Sequence, residues 1–153
     1  MKKFSHVTFV VRDLAKTMKL YESLLGLVPG SKGFVTEFPT VKIGILPCEK
    51  VRIEFLQPTT DADDIFNRFL REHGDGIFSY CFMIDNYDAE IQKLKDQGIE
   101  LLEATQDWLF PGYPFRLAWI PPEAGLGIRV ELAEYDALPP SEQVWGDRAL
   151  GTD

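Results

Sequence analysis

The chain has 153 residues, 45% hydrophobic and 26% charged, with a formal net charge of -8 and an isoelectric point near 4.8. That length suits one domain with a real core and room for a pocket. The acidic balance, with no clustered basic surface, speaks against a nucleic-acid partner, and no run approaches the roughly 20 apolar residues of a membrane span. Cys48 and Cys81 stand too far apart to suggest a disulfide framework. The N-terminal apolar run is interrupted by His6 and Thr8 and followed at once by Arg12-Asp13, so it reads as a strand rather than a secretory signal. A cytoplasmic protein is the expectation.

The elements follow in chain order. Residues 4–14 form a β-rich run that closes on Asp13, a helix-capping residue. Leu14, Met18, Tyr21 and Leu25 then recur at helical spacing, and Gly26 ends the helix. A weaker strand near 33–36 precedes strands at 41–46 and 51–56. A short amphipathic helix from about Asp61 to Glu72, with Ile65, Phe66, Phe69 and Leu70 as its apolar face, leads into the turn His73-Gly74-Asp75-Gly76. The pattern then begins again. Residues 77–87 form a second β-rich run closing on Asn86, read as another cap, and Ile91 and Leu94 anchor a helix that ends at Gly98. Strands near 100–104, 115–120 and 128–133 complete the series, and a polar, Pro139-Pro140-containing tail ends the chain.

The chain therefore repeats itself. The opening strands superpose at an offset of 73, which pairs His6 with Ser79 and Asp13 with Asn86. The closing strands, Val51-Arg52-Ile53-Glu54-Phe55-Leu56 and Ile128-Arg129-Val130-Glu131-Leu132-Ala133, match at an offset of 77. The expected fold is α+β: two tandem βαβββ modules forming a cupped mixed sheet with helices on its outer face. Module one covers 4–57, a linker helix 58–76, module two 77–134 and a tail 135–153, all within one domain spanning 1–153.

Side chains two residues apart share a face of a strand. Val7, Phe9 and Val11 then face the helices, and His6, Thr8 and Val10 face away. The same count puts Ser79, Cys81 and Met83 on the equivalent face of module two. In the closing strands the apolar residues take the helix side, which leaves Arg52, Glu54, Arg129 and Glu131 opposite it. Such a face is either open to water or the wall of a polar cavity, and two Arg-x-Glu repeats with a histidine make a plausible site for a divalent metal of borderline hardness.

These landmarks resemble the vicinal oxygen chelate superfamily, which groups glyoxalase, bleomycin-resistance and dioxygenase proteins, and within it the methylmalonyl-CoA epimerase and glyoxalase I branch. The resemblance runs over about residues 4–134 and rests on Ser5-His6-Val7, Arg12-Asp13-Leu14 before Tyr21-Glu22-Ser23-Leu24-Leu25-Gly26-Leu27, Ile53-Glu54-Phe55-Leu56-Gln57-Pro58, Gly74-Asp75-Gly76-Ile77 and Val130-Glu131-Leu132. It implies a metal site on His6, Glu54, Glu131 and the position of Ser79. A serine hydroxyl is a poor ligand there, so three protein ligands remain for Zn, Co, Ni, Mn or Mg. Either the metal keeps an additional open position for water or substrate, or the cup works by hydrogen bonds and acid–base chemistry alone. The extradiol dioxygenase branch fits less well, since its iron site needs a histidine where Ser79 stands.

What the resemblance implies chemically is proton abstraction beside a carbonyl, with the developing oxyanion stabilised in the cup. Glu131 is a candidate both as ligand and as base, and Glu37 falls near a second catalytic glutamate of the epimerases, although an exposed loop acid is an equal reading. Arg129 and Arg52 are candidates to grip a substrate carboxylate, with Ser79 beside them. The aromatic loop Trp108-Leu109-Phe110-Pro111-Gly112-Tyr113 suits a hydrophobic or aromatic carbonyl or acyl compound, Trp108 and Tyr113 being its expected contacts. No Lys/Arg cluster awaits the phosphates of coenzyme A. An isomerase or lyase acting on a small molecule is the first expectation, and a non-catalytic, bleomycin-resistance-like ligand-binding dimer the second; the homodimer itself is implied by the resemblance.

Overall fold

The computed structural model describes residues 2–27, 35–48, 51–106 and 112–137. Trp108 and most of the C-terminal tail lie outside them. Contacts divide the chain into two compact units, His6–Phe78, and Ser79–Asp153 together with Met1–Ser5. Among the described residues there are eight strands and three helices, an α+β composition as expected.

The first unit carries β1 (Lys2–Val10), α1 (Leu14–Leu25), β2 (Val35–Glu37), β3 (Val41–Cys48), β4 (Val51–Pro58) and α2 (Ile65–His73). Its strands are ordered β2-β3-β4-β1. The first two junctions are antiparallel and the β4–β1 junction is parallel. The Asp13 carboxylate accepts a hydrogen bond from the Lys16 amide at 2.9 Å, capping α1. Gly26 ends the helix with φ +66, the left-handed conformation that glycine adopts without steric cost. Leu14 and Met18 pack with Val11, Leu46 and Phe55 in the core, flanked by Phe9, Tyr21 and Ile53. Leu25, read as the fourth member of that helical face, is exposed. α2 starts later than the sequence suggested because Asp64 is its cap, accepting from the amides of Phe66 and Asn67; Phe69 and Leu70 are its buried residues.

The second unit carries β5 (Gly76–Ile84), α3 (Tyr87–Asp96), β6 (Leu102–Gln106), β7 (Phe115–Ile120) and β8 (Arg129–Glu134). Its order, β5-β8-β7-β6, is that of the first unit, again with one parallel junction, β5–β8. Ile84, Tyr87, Ile91, Ala118 and Leu132 form its core. The caps differ between the two units. Asn86 stands at the N-cap position of α3 as expected, but its side chain makes no capping bond and it sits at φ 54, in the left-handed region that asparagine tolerates. On β7 and β8, Arg116 donates to Glu134 at 2.8 and 2.6 Å and to Asp88 of α3 at 2.6 Å, tying the helix to the sheet. None of the described helices is long and apolar enough to cross a membrane.

At Gly44 of β3 the side chains of α1 come close to the sheet: a Cβ built there would lie 2.5 Å from Met18 Sδ and 2.9 Å from Leu14 Cδ1. A branched side chain at this point has to push the helix outward. Gly44→Val should therefore lower the unfolding free energy by about 1–3 kcal/mol, read as a reduced midpoint in urea with an unchanged slope; an unchanged midpoint would contradict the close approach.

Candidate functional site

Among the described residues four polar side chains are buried, His6, Thr8, Ser79 and Glu131, and all four lie on the first or last strand of a unit. Buried polar groups need partners, and the parallel junctions supply them.

In the first unit, parallel pairing sets His6 opposite Arg52 and Thr8 opposite Glu54. The Thr8 hydroxyl donates to Glu54 Oε1 at 3.2 Å, and His6 Nε2 lies 3.9 Å from the same oxygen. Burial is the main influence on the imidazole and pushes its pKa down to about 4; Arg52 adds to the fall and Glu54 opposes it. At neutral pH the ring is uncharged, so its contact with Glu54 is not an ion pair. A neutral imidazole is the form that binds metals.

In the second unit the register sets Ser79 opposite Arg129 and Cys81 opposite Glu131, and Trp119 of β7 faces Glu131 from its other side. Glu131 Oε2 accepts from Ser79 Oγ at 3.3 Å and from the Trp119 indole N–H at 3.0 Å. Two donors on one oxygen fix the plane of the carboxylate. Cys81 is fully buried, and its sulfur and a Glu131 carboxylate oxygen lie within 4.8 Å of one another.

The remaining expected residues are placed differently. Glu37 is exposed on β2 and pairs with Lys42 at 2.8 Å. Arg52 and Arg129 are half-buried beside the two junctions, and Tyr113 is exposed. Thr8, Cys81 and Trp119 were not singled out from the sequence. Strand parity already put Thr8 and Cys81 on the site face, but nothing short of the β7–β8 register brings Trp119 to Glu131.

The class of protein is that of tandem βαβββ modules with a glutamate on each closing strand, half-buried at Glu54 and buried at Glu131. The chain belongs to the Glyoxalase/Bleomycin resistance protein/Dioxygenase superfamily, whose pattern it matches over residues 5–115. It is 24% identical over 132 residues to a mitochondrial methylmalonyl-CoA epimerase of Bos taurus, covering 86% of this chain and 74% of that protein. It is also 27% identical over 96 residues to a 4-hydroxyphenylpyruvate dioxygenase of Xenopus tropicalis. That match covers 62% of this chain and only 24% of the dioxygenase, so the chain spans about a quarter of that relative's length. The crystal structure of methylmalonyl-CoA epimerase from Mycobacterium tuberculosis has the same fold, with a TM-score of 0.69 at 22% identity over 92% of this chain and 91% of that one.

The state of His6 has a measurable consequence. Its pKa is 6.5 in an ordinary setting and about 4 when folded, so between those values the unfolded chain binds more protons and stability falls as pH drops. The loss attributable to this ring is present throughout that window and approaches about 1.4 kcal/mol per pH unit. In chelator-treated protein, the stability of the wild type relative to His6→Gln should decline from pH 6.5 towards 4 in denaturant unfolding. A difference that stays constant with pH would show that the imidazole is charged in the folded state.

Proposed function

We propose that the protein is an isomerase- or lyase-type enzyme that moves a proton on the carbon next to a carbonyl. The observation that carries this reading is Glu131, a buried carboxylate whose Oε2 is held by Ser79 and Trp119. A base aimed by two fixed donors loses little orientation when substrate arrives, and proton transfer by a placed group contributes roughly 10²–10⁴ in rate. In this mechanism Glu131 takes the proton from the carbon and returns it, either to the opposite face or to a neighbouring atom. Arg129, which follows the register to Ser79, orients the substrate through a carboxylate or carbonyl oxygen, with Arg52 at the equivalent place in the first unit.

A divalent metal fits the donor set. In the first unit His6 is neutral and Glu54 offers a carboxylate oxygen 3.9 Å from it, and imidazole with carboxylate suits a divalent ion such as Zn, Co, Ni or Mn. When bound, such an ion would supply positive charge to the carbonyl oxygen as the carbon loses its proton. His6 and Glu54 are the residues of the first unit proposed to hold it. The substrate class is a hydrophobic or aromatic carbonyl or acyl compound, and likeness to methylmalonyl-CoA epimerases supports acyl thioesters as the acyl form to test. The working form is proposed to be a cytoplasmic homodimer.

A second reading, ligand binding without catalysis, draws on Glu37. Its exposure and its pairing with Lys42 leave Glu131 as the one acid of the expected catalytic pair that is buried.

Incubating the protein in deuterium oxide with a panel of aryl and acyl α-carbonyl compounds should show deuterium entering at the carbon beside the carbonyl. Glu131→Gln should reduce that exchange by at least about 10²-fold while circular dichroism stays native. Exchange retained in full by the variant would remove Glu131 as the base, and a tightly bound compound recovered without exchange would favour the binding reading. Trp119→Phe leaves Oε2 with one donor fewer and should slow exchange by about 10–100-fold, the usual effect of losing an outer partner, mainly in kcat rather than KM.

A further inference from the structure

The two closing-strand glutamates are held unequally. Glu131 takes one donor from each neighbouring strand, Ser79 on the parallel side and Trp119 on the antiparallel side. Glu54 also lies between two strands, β1 and β3. On β3 the residue opposite it is Ile45, which stands in the register where the second unit has Trp119, and an isoleucine side chain has no donor to give. Among the described residues Thr8 is then the one hydrogen-bond donor to this carboxylate, at 3.2 Å to Oε1. His6 Nε2, 3.9 Å from the same oxygen, is too far for a hydrogen bond. Thr8 is 3% exposed, and its β-branched side chain is restricted at χ1, so the hydroxyl has little freedom to turn elsewhere.

We propose that Thr8 is a positioning residue, whose hydroxyl holds Glu54 beside His6 in the pose that receives a divalent ion and thereby sets how tightly the first unit binds that ion. This rests on the metal-binding reading above, in which His6 and Glu54 are the donors of the first unit. A glutamate side chain has several rotatable bonds, and a carboxylate already fixed by a neighbour loses less freedom when an ion arrives. Partners of this kind, which touch the ligand residue and not the ion, commonly govern metal affinity. In the second unit the same task is divided between Ser79 and Trp119, whereas in the first it falls to a single hydroxyl. Removing Thr8 therefore leaves Glu54 without a donor among the described residues.

The test is calorimetric titration of the chelator-treated full chain with Zn²⁺, run on the wild type, Thr8→Val, Thr8→Ser and His6→Gln, with urea unfolding of each metal-free protein alongside. Thr8→Val keeps the shape and loses the hydroxyl, and it should weaken zinc binding by about 10–100-fold. Thr8→Ser restores the donor and should bind close to the wild type. Should Thr8→Val fold poorly, Thr8→Ala removes the same donor without the branch. A merely structural role would lower the unfolding midpoint of the Val variant and leave the zinc affinity of the folded protein where it was. Wild-type affinity in Thr8→Val, with binding lost in His6→Gln, overturns the role of Thr8 and leaves the metal reading standing. No zinc bound by the wild type, or binding that His6→Gln leaves unchanged, overturns both.

Discussion

Parallel pairing between the first and last strand of each unit is the constraint on which the site depends. A parallel junction cannot be closed by a hairpin; it requires a crossover connection. Here that crossover includes a helix and two further strands, so the paired strands arrive from distant parts of the sequence. His6 meets Arg52 and Thr8 meets Glu54 across one such junction. Ser79 meets Arg129 and Cys81 meets Glu131 across the other. Among the described residues the buried side chains of His6, Thr8, Ser79 and Glu131 are gathered at these two seams. A slip of one residue at either seam would turn its glutamate to the helix side, where Phe55 or Leu132 now packs.

Much of this was legible before any coordinates. The recurrence of a β-rich opening strand and an Arg-x-Glu closing strand gave the two modules, and the period of two along each strand separated the helix-facing residues from the polar ones. The third strand of the second module was placed with its observed limits, Phe115–Ile120. Local signals that depend on fine geometry were less legible. Asp13 and Asn86 look equivalent in sequence and both stand at an N-cap, yet Asp13 bonds its helix through the side chain while Asn86 takes a left-handed conformation and makes no side-chain cap. Asparagine serves both purposes, and only the backbone angle decides between them. Trp119 was invisible as a partner of Glu131 because its place depends on the antiparallel register of β7 against β8, which no local periodicity encodes.

The two seams also treat charge differently. At the first, desolvation outweighs a carboxylate neighbour and keeps the imidazole neutral, a balance set by depth rather than by the type of neighbour. At the second, an indole and a hydroxyl act on one oxygen of Glu131. The first unit thus offers a lone pair on nitrogen, and the second offers an aimed oxygen. Both halves aim a glutamate oxygen with a hydroxyl, and their strand orders are the same.

The displaced hydroxyl, on Thr8 in one copy and two residues earlier on Ser79 in the other, has a wider implication. Along a strand that shift is about 6–7 Å, and the glutamate keeps a hydroxyl partner in both copies. A duplicated scaffold can in this way move a donor to a new address while conserving its bond, and the vacated address becomes a place where new chemistry enters without destabilising the old. Divergence between the halves of such a protein then proceeds by relocation, and the residue to compare between relatives is the one that took the empty place.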